Sequence, residues 1–178
     1  MAAPRPLPLD PIEEAHRQWT SHGWGDVADG MAAVTSLVRA QQIVMARVDE
    51  ALRPSGLTFS RYELLALLGF SKSGALPMAT ASARLQVHPT SVTNTVDRLE
   101  AAQLVKRVPH PSDRRATLIE ITDAGRELAA AATRELNAKV FSRPGLSPDG
   151  VEQLLRLLAE FRHEAGDFDT GREPTRWL

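Results

Sequence analysis

The stretch from Leu85 to Thr122 constrains the fold of this chain more than any other. A short helix ends near Val87, and a second helix is predicted from about Thr90 to Ala102. Two strand-like runs, 104–108 and 116–121, come next and are joined by a loop rich in Pro and Arg. Two helices with a tight turn, followed by a hairpin with a basic tip, are typical of a winged helix-turn-helix. Such a module places its second helix in the major groove of DNA.

The second helix of this pair has one apolar and one polar face. Val92, Val96 and Leu99 recur at helical spacing and form the stripe that we expect to be buried. The opposite face carries small hydrogen-bonding side chains, and the amide of Asn94 is suited to adenine. The residues of this helix predicted to contact DNA are Pro89, Thr90, Ser91, Thr93, Asn94 and Arg98. For Thr90 and Ser91, capping of their own helix is the alternative role.

The hairpin adds cations to this surface. The residues of the wing predicted to contact DNA are Lys106, Arg107, His110, Asp113, Arg114 and Arg115. Lys106 and Arg114 suit phosphates, whereas a guanidinium such as that of Arg115 suits the negative potential of a narrow minor groove. Asp113 is expected to orient Arg115, to form an Asx turn after Ser112, or to do both.

Charge is distributed unevenly along the chain. The net charge is −1, but the window from Arg84 to Arg115 contains six basic and three acidic residues, a local surplus of three positive charges. A basic face on a nearly neutral chain is compatible with sequence-specific DNA binding. One of the acids, Asp97, points away from the apolar stripe and would repel DNA unless it pairs with Arg98, Arg84 or a cytosine amine.

Composition and patterning predict five segments. Residues 1–9 are rich in Pro and expected to be disordered, and residues 10–55 form N-terminal helices. The winged helix-turn-helix occupies 56–122, C-terminal helices occupy 123–165, and 166–178 form a loose tail. Helix starts are predicted at Asp10-Pro11, Thr58, Pro77, Thr122 and Ser147-Pro148.

The flanking helices are too long to be buried by the small central module alone. A heptad seam is formed by Met31, Val34, Val38, Gln41, Met45, Val48 and Leu52. The last helix has an apolar stripe formed by Val151, Leu154, Leu155, Leu158 and Phe161. We therefore predict a mainly α fold with a small β-hairpin wing, in which the long N- and C-terminal helices mediate homodimerisation. In the first helix of the helix-turn-helix, Ala79, Ala83 and Leu85 are expected to face inward.

Several function classes have no support in the sequence. Cysteine is absent and the five histidines lack metal-ligand spacing, so we expect neither a metal site nor a cofactor. Motifs of phosphate loops, zinc proteases and serine hydrolases are missing, which argues against an enzyme. No apolar run is long enough to cross a bilayer, and the N-terminus lacks the apolar core of a signal peptide. A cytoplasmic location is the resulting expectation.

These motifs together resemble the MarR family of bacterial transcription regulators. The matching segments are 57–58, 89–94, 98–100, 103–107, 113–115 and 119–122 with Gly125, within an overall resemblance covering 34–162. The resemblance implies a homodimer with interleaved terminal helices that binds an inverted repeat in double-stranded DNA. It also implies a small-molecule pocket between the dimerisation helices and the winged module, and a minor-groove role for Arg115 with Asp113 as its support. We expect a repressor that a small, anionic aromatic ligand releases.

Candidate ligand residues are fewer. Trp19 lies on an additional N-terminal helix, as in family members that respond to urate or related aromatic acids, but Thr95 stands where those members have an arginine. This difference argues against urate. Arg39 can pair with a carboxylate, with Tyr62 and His88 nearby, although a plain surface charge is the favoured alternative for Arg39. The competing function for the whole chain is a winged-helix module for protein contacts, which would not need the basic wing tip.

Overall fold

The computed structural model describes residues 7–112 and 117–169. The chain divides into two compact units, 1–47 and 48–178, and the division falls inside a long helix. Within the described residues, no helix has the length and apolar character needed to cross a membrane.

The first unit contains helix α1, Pro11–Ser21, and most of helix α2, Gly25–Leu52. The predicted start of α1 is confirmed, because Asp10 Oδ1 accepts a hydrogen bond of 2.9 Å from the Ile12 N–H. Pro11 occupies the first turn, where its missing N–H costs nothing.

The second unit contains the remaining helices and one sheet. Its helices are α3 (Phe59–Phe70), α4 (Met78–Leu85), α5 (Pro89–Ala101), α6 (Asp123–Leu136) and α7 (Pro148–Glu164), with a 3-10 turn at Arg53–Ser55 before α3 and a π-helical turn at Asn137–Phe141 after α6. Its strands are β1 (Ala75–Pro77), β2 (Val105–Pro109) and β3 (Thr117–Ile121), arranged as an antiparallel sheet in the order β1-β3-β2. The predicted mainly α fold with a β-hairpin wing is therefore confirmed, and β1 is an additional strand that we did not predict.

The core of the second unit lies between α3, α5, the sheet and α6. Its fully buried side chains include Leu64, Leu65, Leu68, Val92, Val96, Leu99, Ile119 and Leu136. Val48 and Leu52, at the end of the heptad seam, join this core. The stripe predicted on α5 is thus buried as expected, and it fixes which face of α5 remains exposed.

The predicted inward face of α4 was wrong for Ala79 and Ala83, whereas Leu85 packs against the core. Ala79 and Ala83 are exposed, Leu85 is half-buried, and the buried residues of this helix are Ala81 and Ser82. The helix has only eight residues and alanines on several faces, so its apolar pattern does not define one direction.

Large apolar side chains remain exposed on two helices. On α7, Leu155 and Phe161 are 63% and 60% exposed, and no residue of this helix is buried. On α2, Val34 of the heptad seam is 63% exposed. Exposed apolar stripes at helical spacing are typical of surfaces that pack against another chain.

Candidate nucleic-acid interface

The turn between α4 and α5 fixes how the second helix leaves the first. Gln86 has a left-handed backbone conformation (φ 53°) and ends α4. The buried Ser82 hydroxyl donates a 2.7 Å hydrogen bond to the Val87 carbonyl oxygen and so holds the end of the turn. Sequence reasoning missed Ser82, because a serine inside an alanine-rich helix carries no distinctive pattern.

His88 is the N-cap of α5. Its Nδ1 accepts a hydrogen bond of 3.3 Å from the Thr90 N–H, and Pro89 occupies the first turn. Capping, the alternative role that we considered for Thr90 and Ser91, is therefore performed by His88. His88 itself was a ligand candidate, and the structure gives it a local structural role.

The exposed face of α5 begins at its first turn. Thr90 and Asn94 are exposed on the side opposite the buried stripe, and Ser91, Thr93 and Arg98 are exposed beside them. The Thr93 hydroxyl donates to the Pro89 carbonyl oxygen at 3.1 Å, which leaves its methyl group and lone pairs for an external contact. The structure thus assembles the predicted polar face of α5 as one continuous surface.

The two cations at the start of the wing are engaged by carboxylates. Lys106 and Glu120 lie opposite each other on β2 and β3, with 2.8 Å between Nζ and Oε1. The Arg107 guanidinium binds both Asp97 and Glu100 of α5, with 2.5 Å between Nη2 and Asp97 Oδ1. These hydrogen bonds raise the pKa of Arg107 above its usual value, and the bond to Asp97 has the largest effect. Asp97 therefore pairs with Arg107, a partner that the sequence analysis did not name.

The remaining predicted wing residues divide into described and undescribed. His110 accepts a hydrogen bond from the Ser112 N–H at 3.3 Å through Nδ1 and is half-buried. Asp113, Arg114 and Arg115 lie outside the described residues.

The four ligand candidates lie on different elements: Trp19 on α1, Arg39 on α2, Tyr62 on α3 and His88 at the start of α5. Tyr62 is buried, and its hydroxyl lies 3.1 Å from Thr133 Oγ1 of α6. In the first unit, Trp19 packs edge-on against Trp24 with 5.5 Å between ring centroids, and Arg39 donates to Gln42 Oε1 at 3.1 Å. Tyr62 and His88 line neither of two clefts in the second unit.

One of these clefts borders the exposed face of α5. It is lined by Ser60, Glu63, Leu64, Leu85, Val87, Ser91, Val92 and Thr95. Burial in this cleft raises the pKa of the Glu63 carboxyl. The sequence did not single out Glu63, since one acid on an otherwise apolar helix is a weak signal without its neighbours in space.

Comparison with known proteins agrees with this geometry. A model of the MarR family matches residues 55–116. The chain is 35% identical over 111 residues to the uncharacterized HTH-type transcriptional regulator YhbI of Bacillus subtilis (strain 168), covering 61% of this chain and 69% of YhbI. The structure of Sco5413, a MarR family transcriptional regulator from Streptomyces coelicolor, matches with a TM-score of 0.71 at 51% identity, over 79% of this chain and 98% of that one. The chain belongs to the MarR family.

This MarR-family chain is also similar to CouR from Rhodococcus jostii RHA1. A structure of CouR bound to p-coumaroyl-CoA matches at 30% identity with a TM-score of 0.64, covering 77% of this chain and 92% of that one. A structure of the transcriptional repressor CouR bound to a 23-mer DNA duplex matches at 27% identity with a TM-score of 0.65, over 71% of this chain and 89% of that one. Family membership makes the chain a transcriptional regulator and not an enzyme.

Proposed function

We propose that this MarR-family regulator is a repressor that binds an inverted-repeat operator as a homodimer. The observation that carries the proposal is the exposed face of α5, where Thr90, Ser91, Thr93 and Asn94 form one polar surface while the opposite side is fully buried. In a winged helix-turn-helix, this is the face that enters the major groove. The CouR repressor, solved with a DNA duplex, supports the repressor role by similarity.

Each group in the interface has a proposed task. Asn94 reads adenine through its two-point amide, and the neighbouring threonines and Ser91 contact thymine methyl groups or phosphates. Arg98 and Arg114 hold phosphates, and His110 lies beside the backbone. Arg115, oriented by Asp113, enters the minor groove.

Homodimerisation supplies the second reading head. The exposed apolar faces of α7 and of the N-terminal part of α2 are the proposed contact surfaces between two copies, in keeping with dimerisation by residues 10–55 and 123–165. A two-fold dimer presents two copies of α5 about one helical turn of DNA apart, and such a dimer recognises a palindrome.

A small anionic aromatic effector is proposed to release the operator by favouring a dimer whose two reading heads no longer fit the half-sites. CouR, solved with p-coumaroyl-CoA, supports ligand responsiveness by similarity. Trp19 offers an aromatic surface and Arg39 a guanidinium for such a ligand. Tyr62 and His88 support the ligand response indirectly. The Tyr62 hydroxyl holds α3 on α6, and His88 caps α5.

The experiment is selection of binding sites from a library of randomised DNA duplexes by the full chain. We expect enrichment of an inverted repeat whose half-sites are about 10 base pairs apart. Arg115→Ala should then weaken binding to the selected duplex by about 1–3 kcal/mol while the mass of the protein in solution stays that of the dimer. Enrichment of no sequence, or an unchanged Arg115→Ala binding curve at the same salt concentration, would count against the proposal.

A further inference from the structure

Arg107 connects the wing to the recognition helix α5 at several points. The backbone N–H of Arg107 donates to Glu100 Oε1 at 2.9 Å, and the guanidinium binds the same carboxylate through Nη1. The second amino group, Nη2, binds Asp97 Oδ1. One residue of β2 thus holds two carboxylates that lie on adjacent turns of α5.

This arrangement is unsuited to phosphate binding. The guanidinium side chain is only 30% exposed, and both of its terminal nitrogens bind carboxylates. Arg107, Asp97 and Glu100 together carry one net negative charge, so the cluster would not attract a phosphate. A phosphate contact by Arg107 would first require the loss of bonds to the helix that reads the DNA.

Asp97 lies close to the proposed base-reading group. It follows Asn94 by three residues, which brings the two side chains onto the same face of α5 one turn apart. The Asp97 side chain is 55% exposed, and without Arg107 its carboxylate would face the DNA uncompensated. The pairing therefore offsets part of the negative charge in the reading surface and restricts the rotation of α5 relative to the wing.

We propose that Arg107 is a positioning residue for specificity, which sets the orientation of α5 without touching DNA itself. This inference rests on the proposed DNA-reading function of α5. A planar guanidinium can bind two carboxylates at once in a fixed geometry, whereas a lysine acts as a point charge. Loss of the fork should therefore reduce discrimination between sequences more than it reduces overall attraction to DNA.

The test compares Arg107→Gln and Arg107→Lys with the wild-type chain. Dissociation constants are measured over a series of salt concentrations on the duplex selected by the wild type and on a shuffled duplex of equal composition. We expect Arg107→Gln to lower the ratio of the two affinities about tenfold and to leave the slope of log affinity against log salt unchanged. Arg107→Lys keeps the positive charge but lacks the planar guanidinium that binds both carboxylates. Its affinity ratio should therefore lie between those of Arg107→Gln and the wild type.

Arg98→Gln is the matched control, since Arg98 is the proposed phosphate contact on the same helix. Its replacement should lower affinity for both duplexes alike and reduce the salt slope by about 1. The inference is overturned if Arg107→Gln behaves in the same way, because Arg107 would then be a phosphate contact.

Asp97→Asn provides a second variant that does not depend on removing a cation. Removing this acid should raise affinity for the shuffled duplex, yet the ratio of affinities should fall because one of the two ties to Arg107 is weakened. An unchanged or increased ratio in the folded variant, verified by its circular dichroism spectrum, contradicts the positioning role. If the wild type itself selects no sequence, the proposed function fails; if it does and Arg107→Gln discriminates equally well, only this inference fails.

Discussion

Gly125 lies where the first turn of α6 passes the connection between α5 and β2. A Cβ atom at this position would be 2.2 Å from the Leu104 carbonyl oxygen and 2.9 Å from Ile121 Cγ1. Because the nearest atom belongs to the backbone, Gly125→Ala should lower the free energy of unfolding by about 1–3 kcal/mol. The measurement is urea unfolding at a fixed protein concentration.

Gly69 provides the matched control for this substitution. It lies in α3, and a Cβ atom there would have no neighbour within 4 Å. Gly69→Ala should therefore raise the free energy of unfolding by about 0.5–1 kcal/mol, because alanine loses less backbone entropy in a helix. Equal effects of the two substitutions would show that the close approach at Gly125 does not constrain the fold.

Glu63 makes stability depend on pH. Burial raises the pKa of its carboxyl in the folded chain, whereas an unfolded glutamate titrates near about 4.3. The folded state therefore binds the proton more tightly, and stability falls as the pH rises from the unfolded pKa through the folded pKa. Below the pKa of the unfolded state, Glu63 is protonated in both states, and its burial causes no such loss of stability.

Glu63→Gln should remove the loss of stability that burial of the ionised Glu63 carboxylate causes as the pH rises. Relative to the wild type, the variant should gain stability between about pH 3.5 and pH 7, by less than about 1 kcal/mol because the side chain keeps access to water. Unfolding by urea at both pH values, at matched protein concentration, measures the change. If the free energies of unfolding of the wild type and of the variant changed equally with pH over this range, the assigned burial effect would be contradicted.

At the scale of elements, α7 has a face that the single chain leaves uncovered. Full burial of a large apolar side chain stabilises by about 1.5–3 kcal/mol, so a double substitution of Leu155 and Phe161 by Ser should convert the proposed dimer into monomer. Sedimentation velocity or light scattering gives the mass directly. Arg156→Ser, which changes an exposed polar residue of the same helix, should leave the mass unchanged. A double variant that remains dimeric would exclude this face as the contact surface.

The starts of α6 and α7 were predictable from the sequence because local chemistry determines them. Thr122 accepts a 3.0 Å hydrogen bond from the Gly125 N–H, and Ser147 accepts one of 3.2 Å from Gly150, as the capping pattern predicts. β1 was not predictable in this way, because a strand of three residues that includes Pro77 has no periodicity of its own. It exists because its backbone pairs with β3.

The ion pair between Arg107 and Asp97 could not be predicted from the sequence either. Arg107 and Asp97 are ten residues apart and are connected through the end of a helix, a turn and the start of a strand. Their proximity depends on how β2 returns along α5, which is a property of the tertiary packing. The residue type alone favoured a DNA contact for Arg107, whereas the geometry favours a structural bond to the recognition helix.

At the scale of the whole molecule, the proposed function requires two copies of the chain on one DNA site. Each copy contributes one α5 and one wing, and only a dimer of fixed spacing can match both half-sites. Specificity then depends on base contacts from α5, while phosphate contacts contribute affinity that is independent of sequence and sensitive to salt.

The most direct test of DNA reading by α5 is the affinity ratio between the selected and the shuffled duplex, measured for the wild type and for Asn94→Ala at the same salt concentration. A two-point amide contact to a base contributes about 1–3 kcal/mol of discrimination. We therefore predict that Asn94→Ala loses affinity for the selected duplex and keeps its affinity for the shuffled one. Equal losses on both duplexes, or no loss on either, would contradict base reading by the exposed face of α5.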